Sequence, residues 1–268
     1  MKKTAAIGVF DSGLGGLTVF KALARRMPEE SLVYFGDTAH VPYGSKSPAA
    51  IARFSTEVAR FLEARGIKIL VVACNTSTAW ALDDIRRAVR VPVVGVIEPG
   101  ARAALAASRG GRIGVIGTEA TVKSKAYPKA ISALSPRAKT ISQACPLFVP
   151  LVEEGWWSGQ VVAGIARKYV APLKRARVDT LILGCTHYPC LKLVLTRAMG
   201  RGVRLIDSAS ETARETQRVL SGMALRAPKG RVGRREFYAS DAPERFARLG
   251  RRILGGTIER VKLHPFDA

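Results

Sequence analysis

ILVVACNTSTA, from Ile69 to Ala79, and TLILGCTHYPC, from Thr180 to Cys190, are the two stretches that decide the fold of this chain. Each begins as an apolar run of β-branched and leucine side chains, the composition of a buried strand. Each run ends on a small residue, Ala73 or Gly184, and is followed by a cysteine and then by hydrogen-bonding side chains. In a parallel α/β sheet, ligands sit at the ends of such strands. Cys74 and Cys185, placed alike at two strand ends, suggest two proton-transfer groups flanking one substrate.

The likeness extends along the chain. Ile7-Gly8-Val9-Phe10-Asp11-Ser12 is echoed by Ile113-Gly114-Val115-Ile116-Gly117-Thr118, and Val96-Ile97-Glu98 by Leu205-Ile206-Asp207. Any α/β protein repeats strands that begin Ile-Gly-Val, so the first pair alone would mean little. Three pairs in the same order, at nearly constant separation, indicate two copies of one α/β unit of about a hundred residues.

Strands and helices alternate in the expected way. Ala6 to Phe10, Ser31 to Phe35, Val91 to Ile97 and Val203 to Ile206 are expected as strands beside the two cysteine-bearing ones. Helices are expected from the Gly13-Leu14-Gly15-Gly16 turn to Arg26, from Pro48 to Arg65, from the Cys74 motif to Val89, and from Pro99 to Ser108. Further helices are expected over Leu191 to Met199 and Ser210 to Leu220. The second unit opens at Arg112. The tail after Ala227 carries one strand, Glu236 to Ala239, and one helix, Pro243 to Leu254.

A chain of 268 residues with 47% hydrophobic content can bury two cores. Met1-Lys2-Lys3 begins like an export signal, but the apolar stretch from Ala5 stops at Asp11, too short for one, and no segment approaches a membrane span. Cysteines at 74, 145, 185 and 190 show no paired spacing of a disulfide framework, so reduced thiols in a cytoplasm are expected.

Charge is lopsided: 43 basic against 21 acidic residues, net +22. Eleven of the bases lie between Arg226 and Lys262 (226, 229, 231, 234, 235, 245, 248, 251, 252, 260 and 262), against Glu236, Asp241, Glu244 and Glu259. Electrostatically this fits nucleic-acid contact. Aromatic residues to stack bases are few, however, and no recognition motif accompanies the charge. A solvated basic surface that also draws in a dianionic substrate is the competing reading.

The glycine-rich turn after the first strand lacks both the dinucleotide fingerprint and the Lys-Ser/Thr of a phosphate loop. What it offers is a helix N-terminus whose free N–H groups suit a carboxylate. Asp11 and Ser12 stand at its mouth, Asp11 either as a helix cap or as a site residue.

FDSGLGGLTV (Phe10–Val19), YFGDTAHVPYG (Tyr34–Gly44), ACNTSTA (Ala73–Ala79) and GCTHYP (Gly184–Pro189) together resemble the glutamate racemase family over nearly the whole chain. The Cys-Asn-Thr or Cys-Thr-His tripeptide alone would also fit aspartate racemase. His40 departs from the family pattern, where the loop usually has Arg. The resemblance implies cofactor-independent interconversion of L- and D-glutamate, with no metal, for peptidoglycan. It implies Cys74 taking the α-proton of D-glutamate and Cys185 that of L-glutamate. Asp11 would assist Cys74, and Glu153 and His187 would assist Cys185. Ser12, Tyr43, Gly44, Asn75, Thr76 and Thr186 would hold the substrate's carboxylates and ammonium. The implied architecture is two similar Rossmann-like, flavodoxin-like α/β domains with parallel sheets, related by pseudo-twofold symmetry, with the site between them. Residues 1–98 with 208–268 would form the first domain and 99–207 the second, in a cytoplasmic homodimer.

The chemistry asks for such residues. An α-proton beside a carboxylate is very weakly acidic, so its base must be close, desolvated and aimed. A cysteine, with an ordinary pKa of about 8.5, serves as thiol or thiolate with modest tuning. Cys145 and Cys190 read instead as small buried hydrophobes. Cys185-x-His187-x-x-Cys190 could seed a zinc site, which would leave Pro189 and the paired Cys74 motif unexplained. Trp156-Trp157 reads as a packing or lid element.

Overall fold

The computed structural model describes residues 2–256, 258 and 260–266. In chain order the first half contains β1 (Ile7–Asp11), α1 (Leu17–Arg26), β2 (Leu32–Gly36), α2 (Pro48–Ala64), β3 (Ile69–Val72), α3 (Asn75–Ala88), β4 (Val93–Gly95) and α4 (Ile97–Ala107). Then follow β5 (Arg112–Gly117), α5 (Glu119–Ser124), α6 (Ala126–Leu134), β6 (Lys139–Ala144), α7 (Phe148–Glu153), α8 (Gln160–Arg175), β7 (Thr180–Gly184), α9 (Lys192–Met199) and β8 (Arg204–Asp207). The chain ends with α10 (Ser208–Gly222), β9 (Arg235–Ala239), α11 (Pro243–Leu254) and β10 (Val261–Leu263).

Two parallel sheets result, ordered β10-β9-β2-β1-β3-β4 and β6-β5-β7-β8. Without its two C-terminal strands the first sheet has the order of the second, so the two units share one topology. Register makes the match finer. Ile7 pairs with Ile69 and Ile113 with Thr180, which places each cysteine five residues beyond equivalent rungs. One equivalence needs correction. Leu70 pairs with Val93 and Leu181 with Leu205, so Val93-Val94-Gly95, not Val96-Ile97-Glu98, matches Leu205-Ile206-Asp207. The expected strand to Ile97 also stops early, at Gly95, and α4 starts at Ile97 rather than Pro99. Pro99 lies in the first turn of that helix, where its missing N–H costs no hydrogen bond.

Both sheets are covered on both faces, as all-parallel sheets must be. One face of the first sheet packs against Leu17, Phe20 and Leu23 of α1, Ala213 of α10 and Phe246 of α11. The other packs against Ile51, Val58 and Leu62 of α2 and Ala81 and Ile85 of α3. The second sheet is enclosed by α7, α8 and α9 on one side and by Ala101 of α4 and Ile131 of α6 on the other. Trp157 and Cys190 touch the cores of both halves and pin them together. Among the described residues no helix is long and apolar enough to cross a membrane.

Candidate active site

Cys74 leaves β3 in extended conformation and forms the N-cap position of α3, so Asn75, Thr76 and Ser77 occupy the first helical turn, all buried. Cys185 directly follows β7 in a bend and leads through Thr186 and His187 into a single 3-10 turn, Tyr188–Leu191. Both thiols open onto one cavity. Ser12, Tyr43, Gly44, Asn75, Thr76, Thr186 and His187 line it with them, while Asp11 and Glu153 stand behind this wall. The free volume is about 10 Å³, roughly room for one water. An amino acid enters only if the walls part.

Close approach of the halves depends on one glycine. A Cβ on Gly15 would lie 2.4 Å from Thr186 Oγ1 and 2.7 Å from His187 Nδ1. Only a residue without a side chain lets the β1–α1 turn press against the Cys185 loop.

The turn's N–H groups serve the chain itself rather than a ligand. Asp11 accepts from Gly13 N at 3.1 Å and from Gly16 N, and also from Thr186 Oγ1 of the other half at 3.1 Å. Asp11 therefore braces its own turn and ties it to the Cys185 loop, while α1 has no side-chain cap. Burial raises its pKa, opposed by the His187 charge and these donors. Burial also raises the Cys74 thiol, and the nearby Asp11 charge pushes it further; the Sγ donates to Ser12 Oγ at 3.4 Å.

On the opposite side, His187 Nδ1 lies 3.8 Å from Cys185 Sγ and Nε2 lies 2.6 Å from Glu153 Oε1. Burial disfavours the imidazolium, yet its bonds to Cys185 and Glu153 outweigh that and hold its pKa well above the usual value. Glu153 is disfavoured as an anion by burial, but bonding to His187 keeps its pKa below the ordinary carboxylate value. An ion pair at neutral pH follows. The stability His187 supplies is whole below the ordinary imidazole pKa of about 6.5 and is lost as pH rises through its raised folded value. Wild-type unfolding free energy minus that of His187→Gln should thus shrink steadily from about pH 7 upward in urea titrations. A difference that grew with pH would mean a neutral imidazole.

One expectation changes in detail. The Tyr43 hydroxyl donates to buried Asp37 at 2.5 Å, so its proton is committed and it is left an acceptor only, although the residue still lines the cavity. Asp37 also accepts from Ser240 and holds His40, whose ring stacks on Phe54 at 3.9 Å. Four lining residues were missed: Val41, Pro42, Thr118 and Val149. Thr118 was detectable, since it follows β5 as Ser12 follows β1. With Thr76 and Thr121 it forms a hydroxyl triangle of edges 2.9, 3.0 and 3.2 Å.

Cys145 is buried against Phe148 and Tyr188 in the second core, and Cys190 is half-buried. Among the described residues no group of three His, Cys, Asp or Glu side chains is placed to share a metal ion. Trp157 is packing: its Nε1 donates to Val152 O and Arg252 lies over its ring. Six of the eleven tail bases are tied down locally. Arg226 faces Glu30, Arg231 bonds Thr4 and Ser31, Arg235 bonds Glu30 O, Arg245 bonds Glu154, Arg252 bonds Gly155 O, and Lys262 bonds Glu236. Glu259, counted among the tail acids, lies outside the described residues.

Two α/β units with parallel sheets thus bring one thiol from each to a single closed pocket. The profile of the Asp/Glu/Hydantoin racemase family matches residues 8–216. The glutamate racemase of Geobacter metallireducens is 53% identical over 256 residues, covering 96% of this chain and 95% of that protein. Among solved structures, glutamate racemase from Francisella tularensis in complex with D-glutamate superposes with a TM-score of 0.92 at 35% identity, over 99% of both chains. The Thermus thermophilus enzyme in complex with beta-chloro-D-alanine gives 0.88 at 46% identity, again over 99% of each. The chain belongs to the Asp/Glu/Hydantoin racemase family, within its glutamate racemases, and is an amino-acid racemase.

Proposed function

We propose that this racemase interconverts L- and D-glutamate without a cofactor or metal, by two-base proton transfer between Cys74 and Cys185. One thiolate removes the α-proton from one face of the substrate while the opposite thiol delivers a proton to the other face, and the two exchange roles in the reverse direction. Cys74 works on D-glutamate, aided by Ser12 and Asp11, and Cys185 on L-glutamate, aided by His187 and Glu153. Asn75, Thr76, Thr186, Ser12 and the Tyr43–Gly44 segment hold the carboxylates and ammonium. The segments 1–98 with 208–268 and 99–207 act as the two jaws. Their parting admits the substrate, and closure strips water from the reacting carbon. The product is D-glutamate for peptidoglycan, made by a cytoplasmic homodimer.

The observation that carries this reading is the meeting of Cys74 and Cys185, one from each half, at a single cavity. The named relatives and the D-glutamate complex of the Francisella enzyme support glutamate as substrate. The basic surplus is taken as solvated surface that draws in a dianion. Chiral separation of products from purified protein supplied with L-glutamate, D-glutamate or L-aspartate tests it. Racemised glutamate, untouched aspartate and full activity after a strong chelator are expected. Activity lost to the chelator and restored by zinc would sink the metal-free scheme.

A further inference from the structure

Asn75 carries an anomaly. The residue is 2% exposed and its Nδ2 has no hydrogen-bond partner, although a buried amide N–H left unpaired is costly. Its other end is held. The Tyr127 hydroxyl, on α6 of the opposite half, donates to Asn75 Oδ1 at 2.7 Å. Tyr127 is itself 1% exposed, in the apolar cluster with Ile97, Ala101 and Ile131. The ring leans on the second cysteine loop, where a Cβ on Gly184 would meet its Cε2 at 3.1 Å. The phenol oxygen lies 3.3 Å from where a Cβ on Gly100 would stand, with Ser208 alongside. It thus sits beside both chain crossings between the halves.

We propose that Tyr127 is a positioning residue that fixes the Asn75 amide with its carbonyl turned away from the cavity and its NH2 turned into it, so that the site presents a donor to a substrate carboxylate. The inference rests on the reading of this cavity as the substrate pocket. An amide is nearly symmetric in shape, and only its partners decide which end faces a ligand. A phenol could donate or accept. Here the phenol donates to the amide oxygen at 2.7 Å. Burial and the neighbouring Cys185 raise the phenol's pKa, so the proton stays in place. Inverted, the amide would aim its oxygen at a carboxylate, and repulsion would replace a charge-assisted bond.

Tyr127→Phe keeps the ring and deletes the donor. With one charge-assisted bond at stake, KM for glutamate should rise about tenfold in both directions while kcat changes less than about threefold. Asn75→Ala should raise KM at least as much, and adding Tyr127→Phe to Asn75→Ala should change KM no further. A Tyr127→Phe that lowers thermal stability but leaves KM untouched, or that multiplies KM equally in both backgrounds, would overturn the assignment while leaving the pocket intact. If Asn75→Ala leaves KM unchanged in an active enzyme, Asn75 is not a substrate ligand, and the inference falls for that separate reason.

Discussion

Replacing either Cys74 or Cys185 with alanine should reduce racemisation in both directions by about 10²- to 10⁴-fold, the usual contribution of a positioned acid or base. The equilibrium between enantiomers is unity, so kcat/KM falls equally whichever isomer is supplied. What separates the variants is exchange. Cys185→Ala keeps the thiol that faces D-glutamate and should slowly wash its α-proton into heavy water without forming L-glutamate. Cys74→Ala should do the same for L-glutamate alone. In the wild type during the first few per cent of conversion, new product should carry solvent deuterium while remaining substrate is still largely protonated. Early product that keeps the original proton in large yield would indicate one base working from one side. A fully active Cys185→Ala variant would rule out the pair directly. Burial and Asp11 both hold the Cys74 thiol up, so a substrate that reaches it must meet a small thiolate fraction at neutral pH or bring compensating charge of its own.

The parts of the fold visible in the sequence were those whose residues have one environment. β1, β3 and β7 are buried at every position, and their apolar runs announced it. β6, KTISQA, lies at the edge of its sheet with no fully buried residue, so nothing in its composition marks a strand. The six-residue helix α7 gave no periodic signal either, and Glu153 at its end was found only through family likeness. In the site, the cysteines were legible because polar residues directly follow buried strands. The Asp11–Thr186 bond spans 175 residues and the Tyr127–Asn75 bond 52; pairings of that range depend on how the halves meet. The bond from the Tyr43 hydroxyl to Asp37 spans only six residues; it depends on the path of an irregular loop, which has no periodicity to read.

A second large effect is expected far from the chemistry, at the opposite end of the first sheet. Lys68, next to the start of β3, and Glu30 are 0% and 1% exposed and meet at 2.5 Å. The remaining Lys68 donors go to Lys3 O at 2.5 Å and Leu225 O at 2.8 Å, while Glu30 Oε1 accepts from Ala227 N at 2.8 Å. One ammonium thus ties the N-terminal segment, the turn after α1 and the chain after α10 into a single knot. Burial lowers the Lys68 pKa, opposed by bonding to Glu30, so the charge is tolerable only while the partner remains. Lys68→Ala leaves the buried carboxylate with only Arg226, at 3.7 Å, as a cationic neighbour and should cost about 3 kcal/mol of unfolding free energy, far above the 0–1 kcal/mol typical of exposed pairs. Glu30→Ala should cost a similar amount by stranding the ammonium. Removing both charges with Glu30→Gln and Lys68→Met keeps an acceptor for Ala227 N and should recover much of the loss, because a lone buried charge is the dominant penalty. Turnover per folded molecule should stay within about twofold in all three, since no atom of the knot lines the cavity. Urea titration of Glu30→Gln, Lys68→Met and their combination measures the coupling directly. Single-variant losses below about 1 kcal/mol would show that water reaches the pair and that the knot contributes no more than a surface contact.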